Sequence, residues 1–479
     1  MKRITNNTRI ISTVLCCVII AGCFTGCKST GASESTSNQP SSSPLDTLDR
    51  NVEATPINYS KLAEELAALH GQNPDDLAVT FAYAEKLVQL GDVKEAAEVL
   101  DATSAAQKSD PQAILLSAKI AYLTGSYKKA ETLYDKLLDE FPDYKSEAEY
   151  GLQFVYYQTN QYQKAQKLSG KNQGTNGITT LMQAYGERES YRVAWDDKQE
   201  TTIPFVVMEP LPVVEAELNG QKRYFLIDTG ADDTYLNESV ANEFGLKTVA
   251  TKSAPYAGGV EVTTNYGIAD SLRLGGVTVG DIPVNIANMD HLANIAGEEY
   301  PISGVIGIGV FKQFLITMDY LNGTLILKPR GTHLEAQPGA YESSFIMAEM
   351  HYTICKALVN GKKINVWTDS GLGAEESLLL TDGIMQYLNI PLPKMETIEQ
   401  EGGGGLGGSD FPVGTFNVDT YEMGNLPVVH DMKGLLGALP GNGYEESEIF
   451  LDGIISHNYL KQYKWTMDFD TMTMTFQLY

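Results

Sequence analysis

The feature of the sequence that most restricts its possible folds is an internal repeat in the C-terminal half. Three short motifs occur twice and in the same order: residues 219–222 and 360–363, residues 228–230 and 369–371, and residues 317–320 and 466–469. The second member of a pair lies 141 positions after the first in two cases and 149 positions in the third. A nearly constant offset predicts two copies of one domain, each of roughly 130 residues.

Each copy has the pattern of a β-rich domain. Residues 211–218 and 223–227 are strand-like runs, and Asn219-Gly220 between them favours a tight hairpin turn. We therefore expect an all-β region with two lobes, residues 203–335 and residues 336–479, that carry matching motifs at matching places.

A second repeat, with a shorter period, occupies the N-terminal half. Gly-Asp-Val-Lys-Glu-Ala at residues 91–96 is followed by related hexapeptides at residues 125–130 and 160–165, offset by 34 and 35 positions. Apolar residues recur at helical spacing around them, and this period resembles that of tetratricopeptide repeats. We expect an all-α helical repeat over residues 55–172, with its Gly or Asn at a turn of positive φ. Two roles stay open: a groove for a peptide or partner protein, and a spacer.

The N-terminus predicts export and a lipid anchor. Three basic residues precede an apolar stretch, residues 10–21, that is too short to span ~30 Å of hydrocarbon. This pattern is typical of a signal peptide, here residues 1–22. It ends in Ile-Ala-Gly-Cys23, which resembles a bacterial lipobox and implies acylation of Cys23, hence attachment to the cell membrane outside the cytoplasm. We interpret residues 23–54 as a flexible tether and residues 173–202 as a linker.

The composition argues against several classes of partner and cofactor. With 61 acidic and 35 basic residues, the net charge is -26, which would repel nucleic acid. Four of the five cysteines lie in the first 27 residues, so the folded part has no disulfide framework and no cysteine-based zinc site. The six histidines show no metal-binding spacing. We expect neither a metal nor another cofactor.

The repeated segment resembles a known enzyme family. Leu-Ile-Asp-Thr-Gly-Ala-Asp-Asp-Thr at residues 226–234 resembles the active-site segment of retropepsins, and Val-Ile-Gly at residues 305–307 resembles their second landmark. The resemblance covers residues 200–479. It implies an acid-protease-like region with two retropepsin-like β-barrel lobes in one chain, as in pepsin-like enzymes.

The resemblance implies an aspartic endopeptidase with one catalytic aspartate from each lobe, Asp228 and Asp369. Two adjacent carboxylates that share one proton can activate water and protonate the substrate of peptide hydrolysis. The substrates would be extracytoplasmic proteins or peptides. The alternative is an inactive peptide-binding lipoprotein or adaptor that uses the cleft and the repeat groove.

Four residues are expected to support the dyad. By resemblance, the Thr229 and Ser370 hydroxyls tie the two loops together, while Gly230 and Gly371 turn backbone N–H groups toward the carboxylates.

Other residues are expected around the substrate. By resemblance, Ala231, Asp232 and Asp233 line the substrate site; for the two aspartates, a solvated turn or a structural ion pair is the alternative. Glycine-bearing flaps are expected some 30 residues after each aspartate. They would include the residues Tyr256, Gly258, Gly259, Gly404 and Gly405.

The sequence also departs from the family pattern. Ser456 replaces the landmark glycine in the second copy, and Gly309 stands where relatives often place Asp or Asn. Ala231 and Leu372 follow the two Asp-Thr/Ser-Gly motifs in place of a hydroxyl residue that would lower the pKa of the dyad. We therefore expect activity at weakly acidic to neutral pH.

Overall fold

The protein combines a helical N-terminal region with a β-sheet C-terminal region. The computed structural model describes residues 43–50, 52–104, 107–168, 178–196, 199–255, 261–334, 338–397, 412–437 and 448–479. Within these ranges, no helix combines the length and the apolar composition that crossing a membrane requires.

Consecutive helices of the N-terminal region pack against one another. They are α1 (Pro56–Gln72), α2 (Leu77–Gln89), α3 (Val93–Asp101), α4 (Pro111–Leu123), α5 (Tyr127–Glu140), α6 (Lys145–Gln158), α7 (Tyr162–Ala165) and α8 (Ile178–Ala184). Thr55 and Asp76 cap α1 and α2 by accepting a backbone N–H with their side chains. As predicted, Gly91, Gly125 and Asn160 have positive φ values of 73°, 73° and 57°.

The remaining elements belong to the β region. Its first part contains β1 (Arg192–Trp195), β2 (Thr201–Val207), β3 (Val213–Leu218), β4 (Gln221–Ile227), β5 (Thr234–Asn237), α9 (Glu238–Glu243), β6 (Ala250–Pro255), β7 (Glu261–Leu274), β8 (Val277–Ala287), β9 (Ile302–Ile306), α10 (Ile308–Phe311), β10 (Phe314–Asp319) and β11 (Thr324–Pro329). Its second part contains β12 (Tyr341–Ala348), β13 (Tyr352–Val359), β14 (Lys362–Thr368), β15 (Leu378–Leu380), α11 (Asp382–Leu388), β16 (Glu396–Thr397), β17 (Pro412–Met423), β18 (Val429–Leu436), β19 (Gly453–Ile455), α12 (His457–Leu460), β20 (Tyr463–Asp468) and β21 (Thr473–Leu478).

The same strand pairing occurs in β2–β11, called lobe 1, and in β12–β21, called lobe 2. In lobe 1, β4 pairs with β9 in parallel, β5 with β8 in parallel, and β5 with β9 antiparallel. In lobe 2, β14 pairs with β19, β15 with β18, and β15 with β19 in the same three senses. The antiparallel pairs β3–β4 and β7–β8 likewise correspond to β13–β14 and β17–β18.

A six-stranded antiparallel sheet joins the two lobes. Its order is β2, β11, β10, β20, β21, β12, so each lobe contributes three strands. At its centre, Thr317 of β10 lies opposite Thr466 of β20, and their hydroxyl oxygens are 2.7 Å apart. These two threonines occupy equivalent places in the sequence repeat, so the approximate two-fold axis passes between them.

The helical repeats pack their turns against both lobes. A side chain at Gly91 would lie 2.5 Å from the amide oxygen of Asn365 in lobe 2. A side chain at Gly125 would lie 2.8 Å from Met472 in the same lobe. Asn160 donates from its side chain to Gln313 of lobe 1 at 2.8 Å. The turn edge of the repeats is therefore covered by the β region of the same chain.

Two expected boundaries need correction. The tether was expected to reach residue 54, but Pro44–Thr47 forms a 3-10 helix whose Leu45 is buried in the core. The linker expected over residues 173–202 contains α8, whose apolar residues are buried, and β1, which pairs antiparallel with β8. In both segments, a few apolar side chains are buried against the rest of the protein. The polar residues around them in the sequence make both segments resemble linkers.

Candidate active site

Asp228 and Asp369 follow equivalent strands. Asp228 comes directly after β4, and its N–H donates to Ile306 O at 3.1 Å. Asp369 comes directly after β14, and its N–H donates to Ile455 O at 2.9 Å. β4 runs parallel to β9 in lobe 1, and β14 runs parallel to β19 in lobe 2. The two aspartates are therefore at equivalent strand ends and lie on the same side of the molecule.

Four reciprocal hydrogen bonds connect the two aspartate loops. The Thr229 hydroxyl donates to Thr368 O and accepts from Ser370 N, both at 3.0 Å. The Ser370 hydroxyl donates to Ile227 O at 3.2 Å and accepts from Thr229 N at 3.0 Å. The structure therefore brings Thr229 and Ser370 together in the arrangement that the resemblance implies.

Gly230 and Gly371 allow the two carboxyl groups to approach each other. Each glycine N–H donates to the aspartate two residues before it, at 2.7 Å in both loops. A Cβ on Gly230 would lie 2.5 Å from the carboxyl carbon of Asp369, and one on Gly371 would lie even closer to that of Asp228. Any side chain at either position would overlap the opposite carboxylate.

Burial and proximity favour one retained proton on this pair of aspartates. Asp228 and Asp369 are both 0% exposed. The pKa of Asp369 is raised well above its ordinary range, first by burial, then by the charge of Asp228 and by a hydrogen bond with it. Backbone N–H groups of Gly371 and Leu372 act in the opposite direction. The arrangement can therefore hold one ionised and one neutral carboxyl group side by side.

Neither residue beside the dyad offers a hydroxyl. Ala231 and Leu372 are both fully buried. Ala231 packs in an apolar cluster with Leu226 and Tyr235, and its carbonyl accepts from Ile308 N at 2.8 Å. Ala231 is therefore a buried packing residue in this structure, and its contact with substrate stays a prediction.

Asp232 and Asp233 are buried and hydrogen-bonded within the protein. Each is 1% exposed. Asp232 accepts from the Tyr235 hydroxyl at 2.8 Å, and Asp233 accepts from the hydroxyls of Tyr157, at 2.8 Å, and Tyr191. Both carboxylates therefore accept hydrogen bonds from donors of the same chain, and their contact with substrate stays a prediction.

The departures from the family pattern are accommodated locally. A Cβ at Gly307 would overlap the carbonyl oxygen of Asp233, so lobe 1 requires glycine there. At the equivalent position of lobe 2, the hydroxyl of Ser456 donates to Glu376 O at 2.7 Å. Because the Ser456 side chain has its own acceptor, the landmark glycine can be replaced in that lobe without leaving a buried hydroxyl unpaired.

Several predicted site residues lie outside the described residues. They are Cys23, Tyr256, Gly258, Gly259, Gly404 and Gly405. In lobe 1, β6 and β7 flank the first group and pair antiparallel up to Pro255 and Glu261. In lobe 2, β16 and β17 flank the second group and pair in the same way.

In the described part of the chain, no group of three or more His, Cys, Asp or Glu side chains is arranged so that it could hold a metal ion.

Comparisons with known proteins agree with this geometry. Residues 214–310 match the family model described as Aspartyl protease. This range contains the Asp228 loop and the second landmark of lobe 1, residues 305–307. Residues 63–120 match the model described as Tetratricopeptide repeat. The predicted order of a tetratricopeptide-like helical region followed by a β-rich region with an aspartyl protease match is therefore confirmed.

Among solved structures, a retropepsin-like aspartic protease from Rickettsia conorii is similar to part of the chain. The match has 19% sequence identity and a TM-score of 0.22, and it covers 29% of this chain and 95% of the other.

Three residues of this site were not found by sequence reasoning. Tyr157, Tyr191 and Lys312 surround Asp233 and are all buried. Tyr157 lies on α6 at a position whose helical spacing predicts only an ordinary core residue. The one sequence feature that could have indicated these contacts was Gly309, because a glycine in place of the usual polar residue leaves room for other side chains beside Asp233.

Proposed function

We propose that the protein is an aspartic endopeptidase that hydrolyses peptide bonds with a water molecule activated between Asp228 and Asp369. The observation that carries this proposal is the pair of buried carboxyl groups, one from each lobe, held together by the reciprocal Thr229 and Ser370 hydrogen bonds. The aspartyl protease family match over residues 214–310 supports the same class of activity.

The proposed chemistry needs one ionised and one neutral carboxyl group. The ionised carboxylate accepts a proton from water as the water oxygen bonds to the carbonyl carbon of the substrate. The neutral carboxyl group donates its proton to the carbonyl oxygen. When the carbon–nitrogen bond breaks, the dyad gives its proton to the leaving nitrogen and takes one from a hydroxyl of the tetrahedral intermediate, so it again holds a single shared proton. Because titration belongs to the pair, the first base is assigned to neither residue.

We further propose a weakly acidic to neutral pH optimum. Ala231 and Leu372 cannot donate a hydroxyl hydrogen bond to the dyad, and burial together with the Asp228 charge raises the pKa of Asp369. Both effects favour retention of the shared proton at higher pH. An optimum below about pH 4 would contradict this proposal.

The proposed location is the outer face of the bacterial cell membrane, with lipid attached at Cys23. The basic n-region, the short apolar stretch and the Ile-Ala-Gly-Cys motif support it. We also propose that the lobes arose by duplication, which the motif repeats and the equivalent strand pairings support. Incorporation of labelled fatty acid that is lost in Cys23→Ser and kept in Cys27→Ser would test the anchor.

Turnover of a diverse peptide library from pH 3 to pH 8 tests the peptidase. The purified chain is compared with Asp228→Asn, Asp369→Asn and the matched control Asp419→Asn, whose side chain is exposed on β17. We expect both dyad variants to lose cleavage and the control to keep it. Cleavage that survives either dyad substitution would contradict a shared mechanism.

A second candidate is a peptide-binding lipoprotein without turnover. It is favoured by the complete burial of both carboxyl groups, since water and substrate must reach them for hydrolysis. Library peptides that bind the chain with measurable affinity and remain intact at every pH would support this candidate.

A further inference from the structure

The two lobes differ at one position that faces the loop after the catalytic aspartate. In lobe 2, Asn458 at the start of α12 donates from its side chain to Glu375 O at 2.6 Å and contacts the Ser377 hydroxyl at 3.3 Å. These bonds tie α12 to the segment that follows Asp369. The equivalent residue of lobe 1 is Gly309, which has no side chain to make such a tie.

In lobe 1, tyrosine hydroxyls occupy the space that Gly309 leaves. A Cβ on Gly309 would lie 2.6 Å from Asp233 Oδ1 and would overlap the Tyr191 hydroxyl. Tyr157 donates to the same Asp233 oxygen at 2.8 Å, and Tyr191 donates to it as well. Tyr157 is at the C-terminal end of α6, so one of the two ties comes from the helical repeats.

A buried cation completes this cluster. Lys312 Nζ lies 4.1 Å from the centre of the Tyr157 ring and contacts Tyr157 O at 3.3 Å and Gln158 Oε1 at 3.1 Å. Burial lowers the pKa of Lys312 to about 7, and the negative charge of Asp233 opposes that change. Tyr157 is therefore held from both sides, by a carboxylate at its hydroxyl and by an amine at its ring and carbonyl.

The cluster connects to Asp228 through a short and fully bonded segment. Asp233 lies five positions after Asp228 in the sequence. Between them, the carbonyls of Ala231 and Asp232 accept from Ile308 N at 2.8 Å and Gly309 N at 2.9 Å. These backbone bonds hold the segment on α10, and the tyrosine hydroxyls hold its last side chain.

We propose that Tyr157 is a positioning residue for the Asp228 loop, so that the helical repeats form part of the structure that orients the first catalytic aspartate. This inference rests on the proposed peptidase function. It assigns the repeats a role inside the chain, in addition to any partner that their remaining surface binds.

The same cluster gives the positioning role a pH signature. Burial and the charge of Asp232 raise the pKa of Asp233 to about 7, whereas the tyrosine hydrogen bonds and Lys312 lower it. The titratable and charged groups around Asp233 are Asp232 beside it, Tyr157 and Tyr162 from the repeats, Tyr185 and Tyr191 before β1, Lys312 after α10, and Arg330 after β11. Loss of one hydroxyl donor removes a contact that favours the ionised form, so the pKa of Asp233 rises further.

The test compares Tyr157→Phe with Tyr156→Phe in the full chain. Both residues are buried tyrosines of α6, but the acidic groups that raise the pKa of Tyr156 are Asp135 and Glu131, not Asp233. We expect Tyr157→Phe to lower kcat about tenfold, as loss of a hydrogen bond to a charged group implies, with KM changed less than about twofold. The acid limb of its kcat profile should move up by about one pH unit. Tyr156→Phe should match the wild type in all three quantities.

Two further measurements make the result decisive. In an Asp233→Asn background, Tyr157→Phe should change kcat by less than about twofold, because the shared partner is already neutral. Hydrogen exchange of amides 231–237 should be faster in Tyr157→Phe than in Tyr156→Phe, and this holds whether or not the chain turns over peptide. Equal exchange and equal kcat profiles in the two variants would overturn the positioning role. If exchange is faster in Tyr157→Phe than in Tyr156→Phe but the wild type does not turn over peptide, the peptidase proposal is overturned and the Tyr157 contact is supported.

Discussion

The reciprocal hydrogen bonds between the aspartate loops lead to a stability prediction for Thr229→Val. This substitution keeps the side-chain shape and removes the hydroxyl, which donates to Thr368 O and accepts from Ser370 N, both at 3.0 Å. The lost donation costs about 0.5–1.5 kcal/mol, and a buried N–H without its partner costs about 1–3 kcal/mol. We therefore expect the free energy of unfolding to fall by about 1.5–4.5 kcal/mol.

Guanidinium unfolding at pH 7 measures this change. Two of the three tryptophans, Trp367 and Trp465, are fully buried in lobe 2, so fluorescence reports mainly on that lobe, and circular dichroism reports on the whole chain. The two transitions must coincide for a single free energy to be defined. Thr229→Ser is the matched control, since it keeps the hydroxyl and loses one methyl group, at a cost of about 1 kcal/mol.

The approximate symmetry supplies a second arm for the same experiment. The Ser370 hydroxyl makes the equivalent pair of bonds, to Ile227 O and from Thr229 N. Ser370→Ala should therefore cost an amount similar to Thr229→Val. If Thr229→Val were no more destabilising than Thr229→Ser, or if Ser370→Ala had no effect, the argument that these bonds hold the lobes together would be refuted.

Three other predictions concern charge and packing. Burial lowers the pKa of His351 from its ordinary value of 6.5 to about 4. As pH falls between these values, the unfolded chain takes up a proton on His351 and the folded chain does not, so the folded state loses stability. His351→Leu should remove up to about 3 kcal/mol of this loss between pH 6.5 and pH 4, measured as the free energy of unfolding against pH. The pKa of Asp369 is raised, so the stability that its retained proton provides is present at low pH and is lost as pH rises through that pKa. Asp369→Asn should therefore raise the thermal midpoint more at pH 7 than at pH 3.5. An equal change at both pH values would contradict the raised pKa of Asp369. Gly91→Ala should lower the thermal midpoint because φ is positive and the new Cβ would lie 2.5 Å from Asn365, whereas Gly71→Ala, with no atom within 4 Å, should raise it or leave it unchanged.

The sequence predicts those parts of the fold that repeat. Gly91, Gly125 and Asn160 recur at fixed spacing, and all three adopt the positive φ that a helix–helix turn needs. Thr317 and Thr466 recur at an offset of 149 and lie opposite each other in the central sheet. A repeat is informative because the same local physical requirement must be met at each copy.

The sequence does not predict contacts that occur once. Tyr157 and Asp233 are 76 residues apart and belong to regions with different periods, so no pattern connects them. The expected substrate role of Asp233 came from the family resemblance. In the structure, Tyr157 and Tyr191 donate to this carboxylate beside Gly309, and a contact between Asp233 and substrate stays a prediction. The helix α8 was assigned to a linker because its apolar residues follow a long polar stretch.

The shared chain also affects how the two lobes can evolve. In a symmetric pair of identical subunits, every substitution appears on both sides of the axis and must suit both. Here, Gly309 and Asn458 are separate codons at equivalent places, so each position can change without the other. Lobe 2 has the Asn458 side-chain tie, whereas the corresponding contacts of lobe 1 include Tyr157, on a helix encoded about 150 residues earlier. A lineage with this arrangement could not easily lose its helical repeats, because part of one lobe would lose its support with them.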